Sequence, residues 1–95
     1  MPLIAEAVRQ ECRWCGAPVV WCYDDLRRRR VPVNPRPDGE GICVQTIREG
    51  HHHPGVRFLS GEERVSWQGV RYSPHLRTCA AREDALAELR VRDAG

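Results

Sequence analysis

The sequence predicts an α+β domain in which a small antiparallel β-sheet is followed by one C-terminal helix. Short runs of β-branched and aromatic residues alternate with loops rich in glycine and proline through residues 17–72. Residues 80–92 contain neither glycine nor proline and place apolar residues at helical spacing. A cysteine pair and a histidine–cysteine pair lie near opposite ends of the chain, where one shared metal ion would close the fold.

The first two strands are predicted at residues 19–23 and 28–33. The earlier run, Val-Val-Trp-Cys-Tyr, is rich in residues that favour strands, and the aspartates and leucine after it form a turn. The second run returns antiparallel to the first. Because Pro32 cannot donate a ladder hydrogen bond, this second strand is predicted at an edge of the sheet. Residues 34–41 are dense in turn-forming residues and form a loop.

Three further strands are predicted at residues 42–47, 56–59 and 65–72, with a histidine-containing loop before the second of them. The last strand leads directly into the histidine–cysteine pair. The predicted helix at residues 80–92 carries an apolar stripe formed by Ala81, Ala85, Leu86 and Leu89.

Length and composition indicate one domain spanning residues 1–95, with residues 1–11 as a flexible N-terminal segment. That segment has no long apolar run and contains acidic residues, so it is neither a signal peptide nor a membrane span. We therefore expect a cytoplasmic protein with no membrane partner. In a reducing compartment, five cysteines indicate metal ligands or buried thiols rather than disulfides.

Two half-sites supply the predicted metal ligands. Two residues separate Cys12 from Cys15, so both sulfurs can face one ion, and Gly16 tolerates the left-handed backbone that closes such a turn. His75 and Cys79 are four positions apart, which would place both on one face of a first helical turn. Ser73 is predicted as the N-cap of that helix and Pro74 as its first residue.

Thiolate and imidazole ligands in a closed set of four predict one structural zinc ion and a fold like a zinc ribbon or a treble-clef zinc finger. The alternative is an iron–sulfur cluster on Cys12, Cys15, Cys22 and a fourth cysteine, which would leave His75 without a role. Dithiol redox chemistry is disfavoured because Trp14 lies between the two cysteines and no βαβ pattern surrounds them. Cys22 and Cys43 alternate with apolar neighbours and are predicted to be buried thiols.

Four protein ligands leave no open metal position for water, and no nucleophile and base can be paired from the sequence. The sequence therefore predicts a non-enzymatic binding module with no small-molecule substrate. Its first candidate partner is nucleic acid, although the net charge of +2 is too small to indicate this partner alone. The candidate phosphate-binding residues are a run of arginines and one arginine after it, namely Arg27, Arg28, Arg29, Arg30 and Arg36.

Three alternatives to this interpretation stay open. The arginine run could be a solvated edge strand whose charges prevent pairing with other strands. Alternation along that strand would also place Arg27 and Arg29 on one face and the other two arginines of the run on the opposite face. His51, His52 and His53 could bind a metal, but three consecutive loop residues diverge and are usually only exposed. The six aromatic side chains could stack on bases, or they could form the core.

Four features occur in a recognisable order along the chain. They are the knuckle, which is the turn that carries Cys12 and Cys15, then residues 16–21, the basic strand ending at residues 31–35, and the final His75-x-x-x-Cys79. In this order the chain resembles small single-zinc proteins encoded by actinobacteria and their phages, which are generally of unknown function. The resemblance implies the metal ligands and the first β-hairpin but no biochemical activity. It departs at Ala80, where the family has proline, so it leaves open whether the ligand turn and the terminal helix are continuous.

The second candidate partner is a protein. The low net charge favours it, and so does the terminal helix, whose apolar stripe could dock on a partner instead of on its own sheet. A phage-encoded modulator of a host protein would be one such module.

Overall fold

A computed structural model describes residues 3–48 and 50–94. It confirms the α+β class, with a five-stranded sheet and a C-terminal helix. Two short 3₁₀ turns, Ile4–Glu6 and His75–Arg77, accompany the regular elements. The strands are β1 (Gln10–Glu11), β2 (Pro18–Asp24), β3 (Arg29–Val33), β4 (Cys43–Thr46) and β5 (Gly55–Phe58), and the helices are α1 (Gly61–Ser66) and α2 (Arg82–Ala94).

Strand β2 organises the sheet, because it pairs with β1, β3 and β5. Its pairing with β3 is antiparallel and runs from Val20 opposite Val33 to Asp24 opposite Arg29, as predicted for the first hairpin. Strands β4 and β5 form a second antiparallel pair, which joins β2 through β5 in a parallel orientation. The sheet is therefore mixed but mostly antiparallel, and the parallel pairing of β5 with β2 is a feature that the sequence does not predict. Alternation assigns residues to faces of a strand, but it does not specify which neighbour the strand meets.

The main core lies on one face of the β2–β3 hairpin. Alternate side chains of the two strands point into it, and Cys22 and Cys43 are fully buried, as predicted. Burial raises the pKa of each of these two thiols to about 12, so neither is a nucleophile at neutral pH. The core residues are Ile4, Val20, Cys22, Val31, Val33, Cys43, Val56 and Tyr72.

Part of the N-terminal segment packs on this sheet. The Ile4 side chain is fully buried in the main core, and its backbone nitrogen donates a hydrogen bond of 2.9 Å to Gln45 Oε1. Residues 1 and 2 of the segment that the sequence predicts to be flexible lie outside the described residues.

The strand predicted at residues 65–72 is wrong, because helix α1 ends inside that range. Ser60 and Glu63 form a capping box, in which each side chain accepts a hydrogen bond from the backbone of the other residue. This pairing satisfies two backbone donors and is a sequence signature of a helix N-terminus. Val65 and Val70 are 90% and 60% exposed, so these apolar side chains do not pack on the sheet. Only Tyr72 bridges to the sheet, through two backbone hydrogen bonds with Cys43.

Helix α2 confirms the predicted C-terminal helix and begins two residues later than predicted, at Arg82. Ala85 is fully buried, and Leu86 and Leu89 are half-buried, so the predicted apolar stripe faces the protein. No helix within the described ranges, 3–48 and 50–94, is long and apolar enough to cross a membrane.

Candidate metal centre

The first half of the centre is a tight turn between β1 and β2. The Cys12 nitrogen donates to the Ala17 carbonyl and the Gly16 nitrogen donates to the Cys12 carbonyl, both at 2.8 Å. Gly16 adopts a φ of 78°, in the left-handed region that favours glycine. This turn directs the sulfurs of Cys12 and Cys15 to the same side, as the sequence predicts.

The second half is a 3₁₀ turn at His75–Arg77, and Cys79 follows it. The prediction of an α-helical turn capped by Ser73 is wrong. Ser73 Oγ instead donates to Asp38 Oδ2 at 2.7 Å, and Pro74 occupies the cap position. The turn closes through the Thr78 nitrogen, which donates to the His75 carbonyl. Because α2 begins only at Arg82, the ligand turn and the terminal helix are separate elements.

The fold brings the four predicted ligands together from both ends of the chain. The Sγ atoms of Cys12, Cys15 and Cys79 and a ring nitrogen of His75 all lie within 4.8 Å of one another. Cys12 Sγ is 3.9 Å from Cys79 Sγ, and Cys15 Sγ is 3.3 Å from His75 Nε2. Three of these side chains are buried and that of Cys15 is half-buried. This cluster could hold one metal ion.

Other candidate ligands lie elsewhere. Among residues 3–48 and 50–94, the cluster of three cysteines and one histidine is the one group of at least three candidate ligands with such geometry. Cys22, which the iron–sulfur alternative requires, belongs to the main core and not to this group. His51, His52 and His53 are outside it as well.

Burial and neighbouring groups shift the pKa values of three of the four candidate ligands, in the absence of a metal ion. Burial raises the pKa of the Cys12 thiol, but hydrogen bonds from the backbone of Cys15 and Trp14 bring that pKa below its usual range. Burial raises the pKa of Cys79, and the neighbouring cysteines raise it further. Burial also lowers the pKa of His75, which favours the neutral imidazole that a metal ligand must be.

Asn34 orients the histidine ligand. Its Oδ1 lies 2.7 Å from His75 Nδ1 and can only accept, so Nδ1 carries the proton and Nε2 is left with a lone pair facing the three sulfurs. Its Nδ2 donates to Thr78 Oγ1 at 2.8 Å, which connects the end of β3 to the ligand turn. The sequence predicts a loop at Asn34 but not this role, because no spacing rule identifies a residue 41 positions from its partner.

Replacing Asn34 with alanine should weaken metal binding by roughly tenfold to a hundredfold, because the imidazole loses the acceptor that fixes its orientation and tautomer. Asn34→Asp keeps an acceptor for the Nδ1 proton and should retain most of the affinity. Competition titration with a chromophoric chelator measures both variants. An affinity of the alanine variant within twofold of the unchanged protein would contradict the assigned role.

Glu88 connects the knuckle to helix α2. Its carboxylate accepts a hydrogen bond from Trp14 Nε1 and forms an ion pair of 3.0 Å with Arg13. Trp14 and Ala81 also pack against a small apolar cluster made by Cys12, Val19 and Cys79. Helix α2 therefore packs against the metal-binding half of its own chain.

The four consecutive arginines divide between a turn and a strand. Arg27 and Arg28 lie in the β2–β3 turn, where Arg28 takes a φ of 55°, and only Arg29 and Arg30 belong to β3. The predicted alternation of all four along a strand is therefore wrong for the first two. The Arg27 guanidinium lies 3.7 Å from the buried Asp24 carboxylate and 4.3 Å from the centre of the Phe58 ring.

Arg36 is not part of this arginine cluster. It follows β3 at the end opposite the turn, and a strand of five residues spans roughly 13 Å. There it lines an open cleft together with Arg9 and the loop of residues 34–39. The five arginines that the sequence groups together thus occupy two regions of the surface.

Comparison with known protein families, with curated proteins and with solved structures finds no match. The functional assignment therefore depends on the geometry of the described residues.

Proposed function

We propose that the protein is a non-enzymatic binding module held together by one structural zinc ion. The donor set supports this proposal, because three thiolates and one imidazole are typical of closed zinc sites. A tetrahedral ion with metal–sulfur distances near 2.3 Å has sulfur–sulfur edges of about 3.8 Å. The separation of 3.9 Å between Cys12 Sγ and Cys79 Sγ fits such an edge. Four protein ligands leave no coordination position for a reacting water.

We propose nucleic acid as the partner, and the charge around the β2–β3 turn is the observation that supports it most. Five arginines and two aspartates meet there, which leaves three positive charges, whereas the whole chain carries only +2. The rest of the molecule is therefore slightly negative. Such local concentration favours phosphate contacts even at low overall charge. The residues are Arg27, Arg28, Arg29, Arg30, Arg48, Asp24 and Asp25.

Two arginines of this patch form ion pairs and Arg30 lies over the Trp21 ring, which leaves two others available. Asp24 lies close to Arg27, and Asp25 pairs with Arg48 at 3.3 Å. Arg28 and Arg29 are exposed and form no ion pair with any described residue. They are the side chains best placed to contact phosphates. In this proposal Arg36 makes at most a separate contact beyond the strand.

The double substitution Arg28→Gln and Arg29→Gln should weaken binding of DNA or RNA by roughly fivefold to tenfold at low salt, because two phosphate contacts are lost. The slope of log affinity against log salt should also decrease in magnitude by about 1.5. Fluorescence anisotropy titrations at several salt concentrations measure both quantities.

The matched control is Arg82→Gln with Arg90→Gln, which removes the same charge from exposed positions on α2. This control should bind like the unchanged protein. Equal losses in both double variants would point to overall charge and contradict the assigned patch. If the unchanged protein bound no nucleic acid at low salt, the proposal would be rejected.

A protein partner is the second candidate, and one observation favours it. Leu26 and Ile47 are 85% and 77% exposed and line the same surface depression next to the arginine turn. Contiguous exposed apolar surface is typical of an interaction site, whereas a single exposed apolar residue is not. Binding through them should persist at high salt, whereas phosphate contacts weaken steeply.

A further inference from the structure

An arginine side chain lies beside each half-buried aromatic ring of this protein. Of the six aromatic residues only Tyr72 is buried; the other five are half-buried, and two of them, Phe58 and Trp14, pack against the edges of the apolar clusters. Each of the other five has a guanidinium group within 6 Å of its ring centre. The pairs are Arg13 with Trp14, Arg27 with Phe58, Arg30 with Trp21, Arg48 with Tyr23, and Arg57 with Trp67.

Two of these rings are neighbours on the outer face of β2. Val20 and Cys22 point into the main core, so Trp21 and Tyr23 point to the opposite side of the sheet. Their rings are therefore spaced by two residues, or about 7 Å, along the strand. The Arg30 guanidinium lies 5.6 Å from the Trp21 ring centre, and that of Arg48 lies 4.3 Å from the Tyr23 ring centre.

An apolar groove of about 370 Å³ adjoins this face at Trp21. It runs between the hairpin, the knuckle and helix α2, and the metal ligands Cys12 and His75 form part of its wall. Arg13 and Glu11 also line it. Its apolar lining comes mainly from Trp14, Trp21, Pro32, Leu76 and Leu89.

We propose that this face binds single-stranded nucleic acid, with bases stacked over Trp21 and Tyr23 and one base inserted into the groove beside Trp14. The proposal rests on the proposed function for its phosphate contacts. Aromatic rings along a positively charged surface are the arrangement that binds single strands, because every base offers a ring face. Bases stack on guanidinium planes as well as on aromatic rings, so Arg30 and Arg48 extend the stacking surface.

The charges select this occupant over an apolar peptide. The guanidinium groups of Arg13 and Arg48 form ion pairs with Glu88 and Asp25. That of Arg30, over the Trp21 ring, has no ion pair with a described residue, so an apolar partner would cover its charge without compensating it. A phosphate backbone compensates this charge while its bases lie on the rings. A duplex fits less well, because its bases are already stacked on one another and cannot lie on Trp21 and Tyr23.

The first test uses the unchanged zinc-bound protein. Anisotropy titrations compare a single-stranded oligonucleotide of about 12 nucleotides, its duplex, and an abasic strand with the same phosphates. We expect the base-containing strand to bind at least about fivefold more tightly than the abasic strand and the duplex. Equal affinity for the base-containing and abasic strands would overturn the inference, and so would tighter binding of the duplex.

The second test is Trp21→Leu, which keeps an apolar side chain and removes the ring. It should lower single-strand affinity at least about fivefold and leave binding of the abasic strand unchanged. The control is Trp67→Leu, because Trp67 is also half-exposed and paired with an arginine but lies just after α1. Equal affinities of the two variants for the base-containing strand would overturn the inference.

The two proposals fail in distinguishable ways. Binding that depends on Arg28 and Arg29 but not on bases or on Trp21 would leave the proposed function intact and reject the single-strand inference. Absence of binding to all three oligonucleotides at low salt would reject both.

Discussion

Replacing Cys79 with serine should abolish tight metal binding and leave the chain largely unfolded. The two pairs of candidate ligands are separated by residues 16–74, so an ion bound by all four would connect the N-terminal knuckle to the turn before α2. Structural zinc contributes about 10–16 kcal/mol in small zinc domains, which is as large as the total stability of a typical domain, about 5–15 kcal/mol. Circular dichroism, a thermal scan and measurement of bound metal would show the loss.

The matched control is the same substitution at Cys22, a buried cysteine of the main core that is not a ligand. Cys22→Ser should keep one metal ion per chain and lose about 1–3 kcal/mol, because a hydroxyl replaces a thiol in an apolar site. A Cys79→Ser protein with an unchanged thermal transition would show that the ion is not needed for folding.

Replacing Gly41 with alanine should lower the free energy of unfolding by about 2–3 kcal/mol. A Cβ atom at this position would lie 2.5 Å from the Tyr72 oxygen and 2.8 Å from the Tyr72 nitrogen. These backbone atoms form the two hydrogen bonds that attach the segment before His75 to Cys43 in β4. Because a backbone cannot move aside as a flexible side chain does, the substitution should also weaken metal binding.

Gly39 provides the control for this substitution. It lies in the same loop, no heavy atom lies within 4 Å of a Cβ built there, and its φ is not in the left-handed region. Gly39→Ala should therefore change the free energy of unfolding by no more than about 0.5 kcal/mol. Urea denaturation of both variants makes the comparison. Equal stabilities would contradict the close backbone approach at Gly41.

The elements that the sequence predicts correctly depend on local patterns. The β2–β3 hairpin follows from alternation across a short turn, and the metal ligands follow from side chains whose chemistry and spacing are distinctive. Each of these signals is contained in a short stretch of consecutive residues. The four ligands could therefore be identified as two half-sites before their distance in space was known.

The features that the sequence does not predict depend mostly on contacts between distant residues. The parallel pairing of β5 with β2 and the hydrogen bond from His75 to Asn34 both join segments that no local pattern connects. Helix α1 is different, because its capping box at Ser60 and Glu63 is visible in the sequence, although the apolar and aromatic residues after it favour a strand.

The candidate binding face was partly accessible from the sequence. Side chains alternate along β2, so Trp21 and Tyr23 lie on the face opposite Val20 and Cys22. If Val20 and Cys22 face the core, both rings lie on the outer face of the sheet. The arginine that stacks on each ring could not be identified, because Arg48 reaches Tyr23 from the loop between β4 and β5. The run of arginines suggested one continuous strip, whereas the turn redirects half of it.

Metal content tests the central claim most directly, namely that one zinc ion joins the two ends of the chain. Elemental analysis would be made on protein purified without added metal, together with its visible absorption spectrum. Ligation by Cys12, Cys15, His75 and Cys79 predicts one zinc per chain and a colourless protein. Iron with visible absorption, or a folded protein without bound metal, would contradict the claim.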